Sequence, residues 1–370
     1  MSVRVSIKKR VSSNFRLEAE FQSSGECLGI LGASGCGKSM TLKCIAGIET
    51  PDEGHISLNG RVVFDSAKKI NLRPQARRVG YLFQSYALFP RMTVGENITA
   101  GLPFSRRERC RVAGEWTRRF GLGGLEGRYP DQLSGGQQQR TALARMLCRE
   151  PEVILLDEPF SALDTFLREQ MQVRLLELLE SRRDVIMVTH NRDEAYKLCP
   201  QMLVMDEGRV LKKGRTREMF LSPGSVQAAR LTGCKNISPI TRTGEREVFA
   251  RDWGLTLRTA EPPGEDITHA GIRAHDLVPL WEDGPEAARL SYNVLDVAPV
   301  QRAEDPFEHI VLFTNAAARG PEEKGLIWWK CSKYMFQDIP KRLFIPPELI
   351  LLLRDDNIAG SLRTLTEERP

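Results

Sequence analysis

The sequence predicts an α/β domain followed by a smaller β-rich domain. Short apolar runs at 26–31, 152–157 and 184–189 indicate buried strands, and helical patterns separate them. Strands that alternate with helices are typical of a parallel sheet. After about residue 233, strand-like runs recur between turns rich in Pro and Gly, which predicts a small barrel or sandwich. We therefore expect domains over residues 1–232 and 233–370.

The composition is that of a soluble globular protein, and 370 residues are more than one typical domain. The net charge of +5 comes from scattered basic residues, which does not favour nucleic acid as a partner. The N-terminal residues lack the long apolar stretch of a signal peptide, and no apolar run approaches the ~20 residues of a bilayer span. We expect a cytosolic chain, or one held at a membrane through its partners.

The eight cysteines include no CxxC pair, so a zinc site is not expected. Several lie within apolar runs such as "ECLGIL" and "KCIAGI". These are predicted to be small buried side chains in a reducing compartment.

The glycine-rich stretch "GASGCGKS" at 32–39 fits the phosphate-binding pattern G-x-x-x-x-G-K-[ST]. It follows one predicted strand and begins a helix expected to end at Gly47. Backbone N–H groups of such a loop surround nucleotide phosphates, and the helix N-terminus favours an anion. Lys38 can reach the β- and γ-phosphates, and the Ser39 hydroxyl can bind Mg²⁺. The predicted nucleotide-binding residues here are Gly32, Ala33, Ser34, Gly35, Cys36, Gly37, Lys38, Ser39 and Met40.

Three further strand ends carry polar side chains that can act on a bound nucleotide. "VILLDEP" at 153–159 places Asp157 at the carboxyl end of a buried strand, where it can hold Mg²⁺ through water. Glu158 can polarise the attacking water as a general base, although adjacent carboxylates can also be structural. Gln84 ends "LFQ" and can sense Mg²⁺ and that water. His190 ends "MVTH" and can meet a γ-phosphate. Taken alone, Gln84 and His190 are each more often structural.

These patterns, with "LSGGQ" at 133–137 between them, resemble the ATP-binding cassette ATPases over residues 1 to about 232. The resemblance implies ATP and Mg²⁺ as cofactors and places the signature "LSGGQ" in a mostly helical insert, at about 86–150. Ser134, Gly135, Gly136 and Gln137 would form a second anion site at a helix N-terminus. In the family, that site meets the γ-phosphate held by a partner cassette. The resemblance therefore implies a head-to-tail dimer of two copies, with Asp164 of "SALD" at the interface.

One departure from the family concerns the adenine base. Many cassettes carry an aromatic residue upstream of the phosphate loop that stacks on adenine. Phe15 is the only candidate here, and it can instead pack inward from its strand.

Further stretches resemble the importer branch of the family. "YALFPRMTVGENI" at 86–98 resembles the segment that accepts a helix of the membrane subunit, so Phe89, Pro90 and Met92 either line that groove or pack the insert. "GIRAHDL" and "LFIPPELILLL" resemble parts of the small oligonucleotide-binding-like (TOBE) domain that follows the cassette in importers. "TGCKNI" at 232–237 makes the chain most similar to molybdate and sulfate ATPases. Trp328 and Trp329 are expected to pack the barrel.

The resulting prediction is the ATPase subunit of a membrane importer for molybdate or a related oxyanion, at the cytoplasmic face of the membrane. Its implied partners are integral membrane permease subunits, a second copy of itself and, indirectly, an external solute-binding protein, with no nucleic acid. Sulfate, iron and polyamine are alternative cargoes. Two functions of a different class stay open: a soluble ATP-driven clamp on nucleic acid, and a regulatory ATPase whose tail binds a partner protein.

Overall fold

The computed structural model describes residues 2–23, 25–161, 163–179, 184–281, 291–317, 325–336 and 338–356. Its internal contacts divide the chain into a first unit, Met1–Arg217, and a second unit, Glu218–Pro370. This division comes earlier in the chain than the domain boundary expected at 232, which stays a prediction.

The described strands of the first unit form a single eleven-stranded sheet, ordered β6-β5-β4-β1-β2-β11-β10-β3-β9-β8-β7. The five neighbours from β10 to β7 run parallel, so the predicted parallel α/β sheet is confirmed. The strands are β1 (Val3–Arg10), β2 (Arg16–Ser23), β3 (Cys27–Gly32), β4 (Glu53–Leu58), β5 (Arg61–Asp65), β6 (Ile70–Asn71), β7 (Val79–Leu82), β8 (Val153–Asp157), β9 (Asp184–Thr189), β10 (Gln201–Asp206) and β11 (Arg209–Arg215).

The central strands are apolar throughout because both faces of the sheet are covered. Every residue of β3, β8 and β9 is buried. Along β8, Val153 and Leu155 belong to one apolar cluster, whereas Ile154 and Leu156 belong to another. Successive side chains of a strand point to opposite faces, so the two clusters lie on the two sides of the sheet.

The described helices are α1 (Lys38–Ala46), α2 (Val94–Thr99), α3 (Arg106–Arg119), α4 (Gly135–Leu147), α5 (Thr165–Leu179), α6 (Arg192–Leu198), α7 (Thr216–Leu221) and α8 (Val226–Leu231). The predicted helical insert consists of α2, α3 and α4. Each of these three begins with a reciprocal capping pair, in which a hydroxyl accepts from the backbone three residues on. Helix α1 ends at Gly47, as expected, with φ at 79°.

The sequence "QMLVMDEGRVLKKG" at 201–214 predicts a hairpin that turns at Glu207-Gly208, and the structure forms it from β10 and β11. Glu207 and Gly208 form its turn with φ angles of 45° and 81°, as a two-residue turn of type I′ requires. A Cβ at Gly208 would lie 2.1 Å from the carbonyl oxygen of Arg16, the first residue of β2. The turn therefore packs too closely against β2 for any residue with a side chain at this position. The Gly208 N–H donates to the Cys36 carbonyl at 3.1 Å, which ties this hairpin to the glycine-rich loop.

The second unit is β-rich, as predicted. Its described strands form two five-stranded sheets, ordered β14-β13-β12-β15-β21 and β16-β20-β17-β18-β19. They are β12 (Asn236–Arg242), β13 (Glu247–Ala250), β14 (Leu255–Arg258), β15 (His269–Ile272), β16 (Val278–Leu280), β17 (Val294–Glu304), β18 (Glu308–Asn315), β19 (Ile327–Ser332), β20 (Arg342–Phe344) and β21 (Leu351–Leu353).

One apolar cluster draws side chains from both sheets of the second unit. Trp329 is buried in it, as expected, and its indole N–H donates to the Leu277 carbonyl at 3.1 Å. Trp328 lies outside this cluster. The Lys235 ammonium lies 3.9 Å from the centre of the Trp328 ring.

Candidate nucleotide site

The ends of four parallel strands meet at one edge of the large sheet. In the strand register, Leu31 of β3 pairs with Thr189 of β9, and Asp157 of β8 pairs with Val188 of β9. Strand β7 joins β8, with Leu82 opposite Leu156. The residues that follow these ends therefore share one space, where open α/β sheets bind their ligands. We call this set the nucleotide edge: Lys38, Ser39, Tyr81, Gln84, Asp157, Glu158 and His190.

At two positions of the glycine-rich loop, the backbone has a positive φ that glycine adopts readily and other residues disfavour. Gly35 and Gly37 have φ angles of 83° and 102°. A Cβ at Gly35 would meet no atom within 4 Å, and Ala33, Ser34 and Gly35 are all exposed. The tip of the loop thus presents its backbone to solvent at the N-terminus of α1, which suits a phosphate.

Lys38 is buried, and its ammonium is held by the loop itself. The Lys38 Nζ donates to the carbonyls of Gly32 at 2.9 Å and Ala33 at 2.8 Å. The Cys36 thiol lies 3.9 Å from the same ammonium, and burial raises its pKa above the ordinary 9.0. Met40 is half-buried and packs against the core beneath the loop.

The Asp157 carboxylate, buried and 4% exposed, accepts a hydrogen bond on each oxygen. The Ser39 hydroxyl donates to Oδ1 at 2.7 Å, and the Tyr81 hydroxyl donates to Oδ2 at 2.9 Å. Burial, and then the adjacent Asp157 carboxylate, raise the pKa of Tyr81. A hydroxyl and a carboxylate beside a phosphate loop are the oxygen donors that Mg²⁺ prefers, so these residues fit the metal.

Glu158 joins the other two predicted residues of the site. The Gln84 Nε2 donates to Glu158 Oε2 at 3.1 Å, and His190 Nδ1 lies 3.1 Å from Glu158 Oε1. Glu158 has a φ of 47°, which is costly for a residue with a side chain. Its N–H donates to the Val188 carbonyl at 3.0 Å, which holds this backbone in place. The strained turn aims the carboxylate between Gln84 and His190.

The segment that carries His190 has its own support. The Thr189 hydroxyl donates to Glu194 Oε2 at 2.6 Å and accepts from the Asn191 N–H at 3.0 Å. Glu194 is 5% exposed, and burial raises its pKa above the ordinary 4.5, while the Thr189 hydrogen bond opposes that shift. Glu194 thus fixes the turn between β9 and α6.

The signature residues form a separate group within the first unit. Ser134 caps α4: its hydroxyl accepts from the Gln137 N–H at 3.3 Å, and Gln137 Oε1 accepts from the Ser134 N–H at 2.9 Å. Ser134 and Gly135 are exposed, whereas Gly136 is buried. Within the described residues, no hydrogen bond joins this helix end to the nucleotide edge. Asp164 is exposed and its carbonyl accepts from the Arg168 N–H at 2.9 Å.

Phe15 lies beside the glycine-rich loop. A Cβ at Gly37 would lie 3.3 Å from Phe15 Cζ, and the half-buried ring packs against the core of the first unit. Its position is compatible both with inward packing and with a contact to a nucleotide base, so both roles stay open.

A groove of about 800 Å³ lies next to the segment that carries Gln84. Apolar side chains and arginines line it, among them Tyr81, Phe83, Phe89, Leu102, Arg145, Met146 and Arg149. Phe89 is 47% exposed, so the groove offers an aromatic ring to solvent. Pro90 and Met92 are exposed but are not among the lining residues. We call this feature the docking groove.

The structure thus brings together the phosphate loop, Gln84, Asp157, Glu158 and His190, and keeps the signature apart. Sequence reasoning missed Tyr81, which donates to Asp157, and Glu194, which accepts from Thr189 next to His190 in the chain. Tyr81 lies three residues before Gln84, on a strand next to that of Asp157, and this placement was the available signal. The fold and the site define a P-loop enzyme that acts on a nucleoside triphosphate.

Comparisons with known proteins agree with that class. Residues 18–161 match the family described as ABC transporter. The sulfate/thiosulfate import ATP-binding protein of Chromobacterium violaceum is 42% identical over 281 residues, which are 74% of each chain. The spermidine/putrescine import ATP-binding protein of Oleidesulfovibrio alaskensis is 41% identical, over 60% of this chain and 59% of its own length. The Fe(3+) ions import ATP-binding protein of Brucella abortus is 41% identical, over 63% of this chain and 66% of its own length.

Among solved structures, the dimeric ATP-binding cassette MJ0796 in a post-hydrolysis state, bound to ADP and Pi, is similar. It is 28% identical, with a TM-score of 0.51, over 59% of this chain and 99% of that one. The chain belongs to the ABC transporter family, and within it to the ATPases of importer type. Its cofactors are ATP and Mg²⁺, as for the family. Within the described residues, no helix is both long and apolar enough to cross a bilayer.

Proposed function

We propose that this chain is the ATP-hydrolysing subunit of a membrane importer, works as a homodimer at the cytoplasmic face, and supplies the cell with an oxyanion, molybdate first. The observation that carries the ATPase mechanism is the contact of Glu158 with both Gln84 and His190. The proposed site residues are those predicted from the sequence, with Tyr81 and Glu194 added as their supports.

In this mechanism, Glu158 is the general base. Its carboxylate accepts the proton of the attacking water, and Gln84 and His190 fix its two oxygens so that one geometry is populated. The His190 ring can then turn from Glu158 to the γ-phosphate. Lys38 moves from the loop carbonyls to the phosphate oxygens, which offer a stronger, charge-assisted contact. Positioning and charge stabilisation thus account for most of the catalysis.

The Ser39–Asp157 pair would hold the metal. An ion held there would neutralise part of the charge of the nucleotide phosphates. Asp157, oriented by Tyr81, keeps its carboxylate aimed at that position.

The exposed signature end supports the dimer. Ser134 and Gly135 present exposed backbone and hydroxyl groups at a helix N-terminus, so they suit the phosphate of a second copy. The similar MJ0796 cassette is dimeric, which agrees with this arrangement. Two copies would then enclose two ATP molecules head to tail, and hydrolysis would open the pair.

The docking groove supports a permease partner. It is large enough for side chains of one helix, and its exposed Phe89 and apolar lining match an amphipathic helix from a membrane subunit. Such a helix would bring the ATPase to the membrane without a membrane span of its own.

The transported solute is the most specific part of the proposal. A sulfate/thiosulfate importer relative covers 74% of this chain, and molybdate and sulfate are both tetrahedral oxyanions of charge −2. A spermidine/putrescine relative from Acidothermus cellulolyticus covers the same share, so polyamine stays an alternative, as does iron. Sulfate is the alternative oxyanion.

The test is deletion of the gene in its host, with elemental mass spectrometry of cellular molybdenum during growth on limiting molybdate. We expect a sharp fall that the wild-type gene restores and the Glu158→Gln gene does not. Uptake of labelled sulfate, iron and spermidine is measured in the same strains. If cellular molybdenum is unchanged and uptake of sulfate, iron or spermidine falls, that solute is the cargo. If neither molybdenum nor any of these three uptake rates falls, the proposed importer function is contradicted.

A further inference from the structure

The segment that carries Gln84 has an unusual backbone. This segment, residues 83–93 between β7 and α2, is called the Gln84 loop. It contains two consecutive non-glycine residues with positive φ, Tyr86 at 60° and Ala87 at 44°. Side chains disfavour that conformation, so surrounding contacts must impose it. The loop holds no strand or helix that could do so.

Arg145 of α4 supplies the contacts at these two residues. One guanidinium nitrogen donates to the Ala87 carbonyl and the other to the Tyr86 carbonyl, both at 2.8 Å. The same guanidinium lies 5.3 Å from the centre of the Phe89 ring. A planar guanidinium can hold the two carbonyls with two different nitrogens in a fixed fork, whereas a lysine offers a single nitrogen on a shorter side chain.

The other end of the loop is held separately. Asn97 is fully buried, and its side chain bonds the Phe89 N–H at 2.8 Å and the carbonyls of Phe89, Met92 and Thr93. Among the described residues, Arg145 is the only side chain that hydrogen-bonds the backbone from Ser85 to Ala87. The buried Tyr86 side chain and the bond from the Tyr86 N–H to the Phe83 carbonyl at 2.9 Å also support the half of the loop next to Gln84, and Arg145 adds the side-chain bonds to its carbonyls.

We propose that Arg145 is a positioning residue for ATP hydrolysis: it holds the Tyr86 and Ala87 carbonyls and thereby keeps the Gln84 amide on Glu158. This inference rests on the proposed function. Arg145 projects from the helix that begins at Ser134, and it lines the docking groove. A shift of α4, or of a helix in the groove, would therefore reach Gln84 through this one side chain.

The first test compares Arg145→Ala with a matched control elsewhere in the first unit. Arg61 also donates with two guanidinium nitrogens to two successive backbone carbonyls, those of Ala76 at 2.7 Å and Arg77 at 2.9 Å, away from the Gln84 loop. We expect Arg145→Ala to lower kcat about 10- to 100-fold with the KM for ATP within about 3-fold, because Gln84 is misplaced rather than ATP lost. Arg61→Ala should stay within about 2-fold in kcat. Equal kcat for Arg145→Ala and wild type overturns the inference.

A double-mutant cycle with Gln84→Ala separates positioning from general damage. If Arg145 acts through Gln84, Arg145→Ala changes kcat less than about 2-fold once Gln84 is already alanine. If the kcat of the double variant falls by the product of the two single-variant losses, the inference is overturned. Millimolar guanidinium chloride should restore part of the activity of Arg145→Ala, and equal sodium chloride should not. Arg145→Lys should recover little, because the shorter lysine ends in one nitrogen and not in the two spaced nitrogens that reach the Tyr86 and Ala87 carbonyls.

Amide hydrogen exchange gives a readout that needs no turnover. Arg145→Ala should speed exchange of the peptide over 83–88, whereas Arg61→Ala should leave it unchanged. Unchanged exchange over 83–88 overturns the inference even if the purified protein hydrolyses no ATP. A wild-type protein without ATPase activity would contradict the proposed function and leave this structural test standing. If Arg145→Ala fails to fold, Arg145→Lys replaces it in the cycle and in the exchange measurement.

Discussion

The nucleotide edge and the signature end of α4 differ in how complete they are within one chain. At the edge, Glu158 contacts Gln84 and His190, and Asp157 contacts Ser39 and Tyr81. At the signature, Ser134 and Gln137 bond only to their own helix among the described residues. One predicted phosphate site is thus preassembled by the fold, and the other predicted site is a capped helix end at which Ser134 and Gly135 are exposed.

This difference has a physical origin. The edge is built from the ends of parallel strands, whose register forces distant residues together. The signature is built from a helix N-terminus, whose N–H groups need no other part of the chain to point outward. In the proposed mechanism, one chain therefore binds a nucleotide at the edge and completes the site with the signature end of a second copy.

The largest expected effect tests the edge. Glu158→Gln keeps the shape of the side chain but removes the base, so kcat for phosphate release should fall at least about 100-fold. ATP affinity should stay within a few-fold of wild type, and the variant should accumulate as a dimer with ATP. Light scattering and a direct nucleotide titration measure these two properties. Unchanged turnover contradicts the role of Glu158, and a monomer with bound ATP contradicts the dimer.

Next in size is Lys38→Ala, which tests the phosphate loop. The ammonium should exchange its loop carbonyls for phosphate oxygens, and charge-assisted bonds contribute about 1.5–3 kcal/mol. ATP affinity should therefore fall about 10- to 100-fold. Equilibrium titration with a fluorescent ATP analogue measures the loss. An affinity equal to that of wild type would remove Lys38 from the phosphate site.

Ser134→Ala tests the other half of the comparison. In the Glu158→Gln background, we expect about 10-fold weaker ATP-dependent dimerisation with ATP affinity of the monomer unchanged. Loss of the helix cap costs about 1 kcal/mol by itself. The control is Ser105→Ala, because Ser105 caps α3 with the same reciprocal pair and has no predicted phosphate contact. Equal dimerisation of the two variants would place the signature outside the interface.

A smaller effect is expected at Tyr81, which the sequence reasoning missed. Tyr81→Phe removes one hydroxyl from the Asp157 carboxylate and keeps the ring. We expect the Mg²⁺ concentration for half-maximal hydrolysis to rise about 5-fold, since one hydrogen bond contributes about 1 kcal/mol. Mn²⁺ binding in the presence of ADP, followed by electron paramagnetic resonance, gives a second readout. No change in either measurement would make Tyr81 a packing residue.

The smallest effect concerns pH and Glu194, which accepts a hydrogen bond from Thr189 beside His190 in the chain. Burial raises the pKa of this carboxyl in the folded chain above 4.5, so folding favours its protonated form. The stability it contributes is present below the ordinary pKa and is lost as pH rises through the folded pKa. The Glu194→Gln variant has no titrating carboxyl at this position, so it does not lose stability in this way as the pH rises. Its amide oxygen can still accept the Thr189 hydrogen bond.

For Glu194→Gln, thermal melts should coincide with wild type near pH 4 and rise above it near pH 8, by no more than about 1 kcal/mol in unfolding free energy. Thr216→Val provides a pH-independent comparison, because its buried hydroxyl donates to the Cys199 carbonyl without a titrating group. A variant that is less stable than wild type at the higher pH would mean that the charged form is favoured there.

Local patterns predicted much of the fold. The runs at 26–31, 152–157 and 184–189 became β3, β8 and β9, since a strand covered on both faces must be apolar throughout. Gly47 ended α1 and Glu207–Gly208 formed the hairpin turn, because both depend only on backbone conformations at one or two residues. The β-rich second unit followed from the spacing of strands and turns.

By itself, then, the sequence determined the element types, the phosphate loop, the acidic strand end and the signature, since each is a pattern within a few neighbouring residues. Only the tertiary structure decided which distant side chains contact and position these elements. Tyr81 and Asp157 are 76 residues apart, and Arg145 and Ala87 are 58 apart. Such pairs depend on strand register and helix packing, which no local spacing encodes. The positive φ of Glu158, Tyr86 and Ala87 has the same cause, because surrounding contacts impose a backbone that those residues disfavour.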